Sequence, residues 1–296
     1  MLRGPQMITS WKLIGSATKI AASHFEDEAY FPEAAPGVRI YGELAARLGF
    51  TAGASITEAD LVNLLSGRSA AGEQVGREHK VLGVDLTFSA PKSVSVAALL
   101  TDRDPAIVAA HDRAVLNTML EIERKCAGSR NHRMENGEPA YTSVITGSWV
   151  YVTVRNVLNH HQDPHLHTHA VIMNMTHNAG KIRALDGQGI LRPGFNQGWG
   201  AKYRSKLTAN LKAAGHSVSS DEKRMPRLDS VPLAVEREFS KRRDEIAAAK
   251  GRGVSDDAAW RVTHTLTPKR KDGETTQAGL LAGWRERLAR HEGMVK

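Results

Sequence analysis

Apolar positions along the chain recur with two different periods, and the change of period lays out the elements. Val108, His111, Val115, Met119, Ile122 and Cys126 are spaced by three and four, the stripe of an amphipathic helix. Asp104 and Pro105 suit its start, and Gly128 its end. A second helix is predicted over Ser55–Ser66, with Thr57 as cap, Asp60 in the first turn, Leu61, Leu64 and Leu65 inward, and Gly67 as stop. Residues 13–29 read as a helix that ends near Glu26-Asp27-Glu28. Val81–Val96 reads as a strand, a turn at Pro91 and the start of a helix. Ser143–Val157, rich in β-branched and aromatic residues, predicts one long strand. Gly200–Ala214 predicts a helix with Tyr203, Leu207 and Leu211 on one face and Lys202, Arg204, Lys206 and Lys212 around the rest. Beyond Val231, helical patterns alternate with basic joints such as Lys241-Arg242-Arg243 and Lys269-Arg270-Lys271. The organisation expected is one domain over 1–230 and a basic helical segment over 231–296.

One strand pattern carries chemistry. His165, His167 and His169 alternate into the apolar run Ala170-Val171-Ile172-Met173. Side chains two apart on a strand share a face, about 7 Å apart at roughly 3.3 Å per residue. Six of the chain's 13 histidines fall between His160 and His177. Imidazoles on one rigid face can hold a metal ion, and burying them without a partner is costly. The preceding strand is expected to lie antiparallel beside this one.

The totals narrow the chemistry. Net charge is +8, which points to an anionic partner, nucleic acid being the commonest. Cys126, the single cysteine, excludes an internal disulfide, suggests a reducing compartment and reads as core. No run of 18 apolar residues is present, so no membrane segment is expected, and no signal peptide is read at the N-terminus. Neither a His-Glu-x-x-His helix nor a phosphate-binding Gly-x-x-x-x-Gly-Lys loop occurs. Of a zinc hydrolase, a metal-assisted nuclease and an incidental cluster, basic charge favours the nuclease.

Two segments resemble a family. Pro164-His165-Leu166-His167-Thr168-His169-Ala170-Val171-Ile172-Met173-Asn174 is similar to the His-hydrophobic-His (HUH) motif of MobF-type conjugative relaxases, the TrwC/TraI group. Asp85-Leu86-Thr87-Phe88-Ser89-Ala90-Pro91-Lys92-Ser93-Val94-Ser95 resembles a second signature of that family. The likeness covers about residues 8–230. It implies an α+β fold, an antiparallel sheet palm flanked by helices with a helical C-terminal part. It implies strand-specific nicking of plasmid DNA at an origin of transfer, by a tyrosine that stays joined to the 5′ end. It also implies one divalent metal ion (Mg, Mn or Zn) on three histidines, and an aspartate, here Asp85, that orients a ligand and assists the nucleophile. The implied partners are hairpin and single-stranded DNA, a helicase domain or protein, and a type IV secretion coupling protein, in a bacterial cytoplasm.

The sequence departs from the pattern twice. Where relatives carry a first tyrosine pair, Ala22-Ser23-His24-Phe25-Glu26-Asp27 has His24 and Phe25; the second pair is represented by Tyr30-Phe31. Phenylalanine forms no phosphotyrosyl bond and a phosphohistidine at His24 would be unusual, so Tyr30 is the expected nucleophile, with Tyr41 a weaker spare. The third metal ligand lies about eleven residues before the first histidine of the pair in relatives, which falls on Asn156. A shorter hairpin would bring in His160 or His161, the reading favoured over Asn156. The ligands expected are therefore His167 and His169 with one of His160, His161 or Asn156. Lys92, Lys202, Arg204 and Lys206 are candidate DNA contacts, and Trp199 and Trp260 candidate base-stacking groups. These departures also suggest a second reading, a domain that binds hairpin and single-stranded DNA without cutting it.

Overall fold

The computed structural model describes residues 9–28, 37–159, 162–192, 194–221, 225–240 and 277–291. In chain order these form β1 (Thr9–Ile14), α1 (Ala17–Glu28), β2 (Arg39–Tyr41), α2 (Glu58–Leu65), β3 (Gly83–Ser89), α3 (Lys92–Leu99), α4 (Pro105–Cys126), β4 (Gly128–Glu135) and β5 (Glu138–Ile145). Then follow β6 (Trp149–Leu158), β7 (Pro164–Asn178), β8 (Lys181–Arg183), α5 (Gln188–Leu191), α6 (Phe195–Ala213), β9 (Val218–Ser220), β10 (Pro226–Leu228), α7 (Leu233–Glu238) and α8 (Gln277–Ala289).

Two compact units arise. The first draws on residues 1–89, 112–156 and 167–207, the second on 90–111, 157–166 and 208–296. Neither is a continuous stretch, and the boundary expected at residue 230 falls inside the second.

The first unit is built on a six-stranded sheet in the order β1-β3-β7-β6-β2, with β8 paired to β7. β3 lies antiparallel to both β1 and β7. Period-2 alternation divides its faces. Val150, Val152 and Val154 of β6 and Val171, Met173 and Met175 of β7 enter one core with Ala21 of α1 and Leu61, Leu64 and Leu65 of α2. Thr57 caps α2 as its sequence suggests: its hydroxyl accepts from the Asp60 amide at 3.2 Å, and the Asp60 carboxylate accepts from the Thr57 amide at 2.9 Å. On the other face Phe88 packs its ring 5.5 Å from that of Tyr203 on α6.

Three elements differ from the sequence expectation. Residues 9–14 form an edge strand before α1 rather than belonging to a helix that begins at 13. The long strand over 143–157 is two strands, broken at Thr146-Gly147-Ser148, where Gly147 takes a left-handed φ of +64°. β5 leaves the main sheet to pair with β4 as a two-stranded ribbon. Its turn is Asn136-Gly137, both left-handed, at φ +53° and +84°, the geometry of a tight two-residue hairpin.

In the second unit, α3 packs on the β9–β10 ribbon, and the Leu228 amide donates to the Ser93 hydroxyl at 3.2 Å. α8 is held to the segment that enters β7. The Trp284 indole N–H donates to the Gln162 carbonyl at 2.8 Å, and Arg287 meets the fully buried Asp163 at 2.8 Å.

Candidate metal centre

The register of β3 against β7 assembles the site. Thr87 pairs with His169 and Ser89 with His167, and Asp85 pairs with Val171, one step along the same face. His167, His169 and Asp85 therefore stand on the face that carries the Val171 core. The His167 and His169 rings lie 5.2 Å apart, steeply inclined. Asp85 is 5% exposed, and its two oxygens lie 3.0 and 2.9 Å from His169 Nδ1. A carboxylate on Nδ1 holds that nitrogen protonated and leaves Nε2 as the donor, the arrangement that orients metal-binding histidines. Thr87 Oγ1 stands 3.4 Å from the same nitrogen.

α1 closes the site from above the sheet. Its inner stripe runs Ala17, Ile20, Ala21 and then His24, at spacings of three and four. His24 is 3% exposed and its ring centre lies 4.8 Å from that of His169. His24 Nε2 comes within 4.0 Å of Asp85, beyond hydrogen-bonding distance, and has no hydrogen-bond partner among the described residues. An unpaired buried nitrogen costs about 1–3 kcal/mol.

Burial, reinforced by the nearby His169 and Lys12, lowers the His24 pKa to about 4 against the opposing pull of Asp85. Its imidazole is therefore neutral at physiological pH. Burial alone would raise the Asp85 carboxyl, but the charge and hydrogen bond of His169, with His24 and Lys12 adding to them, hold it below the ordinary value.

One donor atom from each of His24, Asp85 and His169 lies within 4.8 Å of the others. These residues fit a divalent cation: an oriented imidazole, a second imidazole with a buried free nitrogen, and an ionised carboxylate beside them.

The other residues singled out by sequence fall as follows. Asn156 continues the inward alternation of Val150, Val152 and Val154 on β6, next to the histidine strand, and is 8% exposed. His160, His161, Tyr30 and Trp260 lie outside the described residues. Tyr41 pairs with Tyr151 across β2 and β6 and stacks on it at 5.7 Å. Tyr151 alternates with the inward valines, which puts Tyr41 on the face away from the histidines; burial raises its hydroxyl pKa. Lys92 is turned inward, its ammonium donating to the Pro164 carbonyl at 2.6 Å, and burial lowers its pKa to about 8. Lys202 and Lys206 both reach Glu121, each at 2.6 Å, and their hydrogen bonds hold its carboxyl near 2. Arg204 shares their helix. Trp199 is 5% exposed beneath the Lys202 ammonium. His24 is the site residue that ligand-spacing rules missed, since they search strands and not the helix above them.

The model of the TrwC relaxase family matches residues 16–291. The chain belongs to the TrwC relaxase family. Among curated proteins it is similar to the multifunctional conjugation protein TraI of Escherichia coli, 29% identical over 260 residues, and to that of strain K12, 31% identical over 250 residues. Those matches take in 83% and 79% of this chain but 14% of each relative, so the chain spans only a small part of their length. Among solved structures, the metal-bound conjugative relaxase TrwC in complex with oriT DNA superposes with a TM-score of 0.81 at 28% identity, covering 96% of this chain and 98% of that one. A copper-bound form of the TrwC complex gives the same TM-score and identity over 95% and 98%. TrwC complexed with a 27-mer DNA comprising the recognition hairpin and the cleavage site gives 0.75 at 28%. The antiparallel sheet and its helices, together with a C-terminal helix in the chain, match the TrwC relaxase fold.

Proposed function

We propose that this chain nicks and rejoins one DNA strand at a plasmid origin of transfer through a covalent protein–DNA intermediate. The observation that carries it is the Asp85–His169 pair beside His167, an oriented metal-binding face in a member of the TrwC relaxase family. His167 and His169 would hold the divalent ion, with Asp85 fixing the ring of His169. When bound, such an ion polarises the scissile phosphate and offsets charge that builds on its oxygens.

The chain's own groups do the rest. Tyr30 is the nucleophile we assign: its oxygen attacks phosphorus, an O–P bond forms, and the bond from phosphorus to the 3′ oxygen breaks. The strand leaves with a free 3′ hydroxyl, and the 5′ phosphate remains on the tyrosine. The phenolic proton passes to a base and a proton returns to the departing 3′ oxygen; Asp85 is the ionised carboxylate at this centre. Reversal rejoins the strand. Lys202, Arg204 and Lys206 on α6 are assigned to the backbone of the bound strand. Among the described residues no helix is long and apolar enough to cross a membrane, and a cytoplasmic protein working with a helicase and a secretion coupling protein fits this reaction.

The test is a set of labelled single-stranded oligonucleotides tiling the transfer origin of the chain's own replicon, incubated with protein and Mn²⁺. A cleaved strand with a free 3′ hydroxyl, and a product that resists denaturation, are expected. Tight binding without cleavage at any tile would replace this reading with that of a DNA-binding domain that no longer cuts.

A further inference from the structure

Resting on the reading of this face as a metal centre, we propose that His24, from α1, supplies its third imidazole ligand. The family spacing places the third ligand at Asn156, and an amide oxygen is a poorer partner than imidazole for zinc, copper or nickel. The structure offers a different nitrogen. α1 packs Ala17, Ile20, Ala21 and Phe25 against the core, and His24 lies on that same inner stripe between Ala21 and Phe25. The side chain is 4% exposed, and Nε2 meets no hydrogen-bond partner among the described residues.

Asp85 is the other neighbour, but both its oxygens already lie within 3.0 Å of His169 Nδ1. That contact casts it as the support that orients His169 rather than as a ligand. The donor atoms of His24 and His169, with Asp85 beside them, lie within 4.8 Å of one another, and the ring of His167 is centred 5.2 Å from that of His169; nitrogens at about 2.0–2.1 Å from one metal are roughly 3.3–4.2 Å apart. His24, His167 and His169 then make a nitrogen-rich set drawn from one helix and one strand. Such a set ranks Cu²⁺ above Zn²⁺ and Ni²⁺, and these above Mn²⁺, with Mg²⁺ weakest of all.

The assignment is tested on the whole chain without DNA. Cu²⁺ is titrated calorimetrically into wild type, His24→Ala, His24→Gln, Asn156→Ala and His167→Ala, and pulsed electron paramagnetic resonance counts the imidazoles on the bound ion. Far-ultraviolet circular dichroism confirms that each variant is folded, and His24→Gln keeps most of the side-chain volume should the alanine disturb α1. Three imidazoles are expected in wild type and two in both His24 variants. Affinity should fall at least about tenfold, the lower edge of what losing even an outer supporting partner costs. Asn156→Ala should keep all three imidazoles.

An imidazole count and affinity unchanged by either His24 variant would overturn the assignment while leaving the metal centre intact. A wild-type chain that takes up no Cu²⁺ or Mn²⁺, or a His167→Ala chain that binds as wild type does, would instead remove the metal centre itself.

Discussion

Replacing Asp85 with asparagine tests the orienting role proposed for this carboxylate. The change keeps the shape but removes the charge. In the wild type both oxygens approach His169 Nδ1, at 3.0 and 2.9 Å, a charge-assisted contact worth about 1.5–3 kcal/mol. In Asp85→Asn the carbonyl oxygen can still accept from Nδ1. The new amide N–H then occupies the position of Oδ2, 4.0 Å from His24 Nε2, where a small rotation pairs it with that unpartnered nitrogen. The gain there, about 1 kcal/mol for a new hydrogen bond, offsets part of the weakened contact with His169. Apo stability at neutral pH should therefore change by less than about 1 kcal/mol. Metal affinity should fall about 10–100-fold, the usual effect of weakening an outer partner, equal to about 1.4–2.8 kcal/mol. The sign with pH follows from the depressed carboxyl. Its stabilising contribution is fully present above the unfolded value of 3.8 and is lost as pH falls through the lower folded value. The stability difference, wild type minus variant, should thus shrink in that acid window. Urea denaturation between pH 3 and 7 and metal titration at pH 7 read the two effects. Unchanged metal affinity in Asp85→Asn would refute the orienting role. A large loss of apo stability at pH 7 would refute the compensation.

Three further outcomes follow from the geometry. Lys92, with its pKa lowered to about 8, gives up its proton in the native state first, so stability should rise with pH between about 8 and 10.5; Lys92→Met should lack that rise in urea denaturation, and a wild-type profile that falls there would count against it. Gly42 sits at φ +103°, and an added Cβ would meet the Trp149 carbonyl oxygen at 2.4 Å; Gly42→Ala should cost about 1–3 kcal/mol or more by denaturation, and no loss would contradict the close approach. Glu121→Gln frees Lys202 and Lys206 from their shared carboxylate; single-stranded DNA affinity should rise and its dependence on log salt steepen by about 0.7 per lysine engaged, and an unchanged slope would remove these lysines from the DNA surface.

The chemistry-bearing strand was legible because its signal is local. Alternation alone put His167 and His169 on one face, and the capping box at Thr57 and Asp60 stands where composition placed it. The partner of His169 was not local: Asp85 reaches it through the β3–β7 register across 84 residues, which only family likeness could suggest. His24 was harder still. Nothing in the periodicity of α1 says what its inner face will meet, and a lone histidine on an apolar stripe more often belongs to the core. The long strand failed for a readable reason. Gly147 interrupts it at a left-handed φ, and Asn136-Gly137 turns β4 back into β5; β-branched content marks a strand but not where it breaks.

The most direct test of the central claim is intact-protein mass spectrometry after reaction with the cleavable origin oligonucleotide and Mn²⁺. A mass increase equal to the 5′-phosphorylated downstream fragment is predicted. It should be lost on chelation and in the doubly substituted His167→Ala/His169→Ala chain, and should map by peptide digestion to Tyr30. A fragment-sized adduct that forms equally well with the metal chelated, or none at all on an origin strand the protein binds tightly, would contradict metal-dependent covalent nicking.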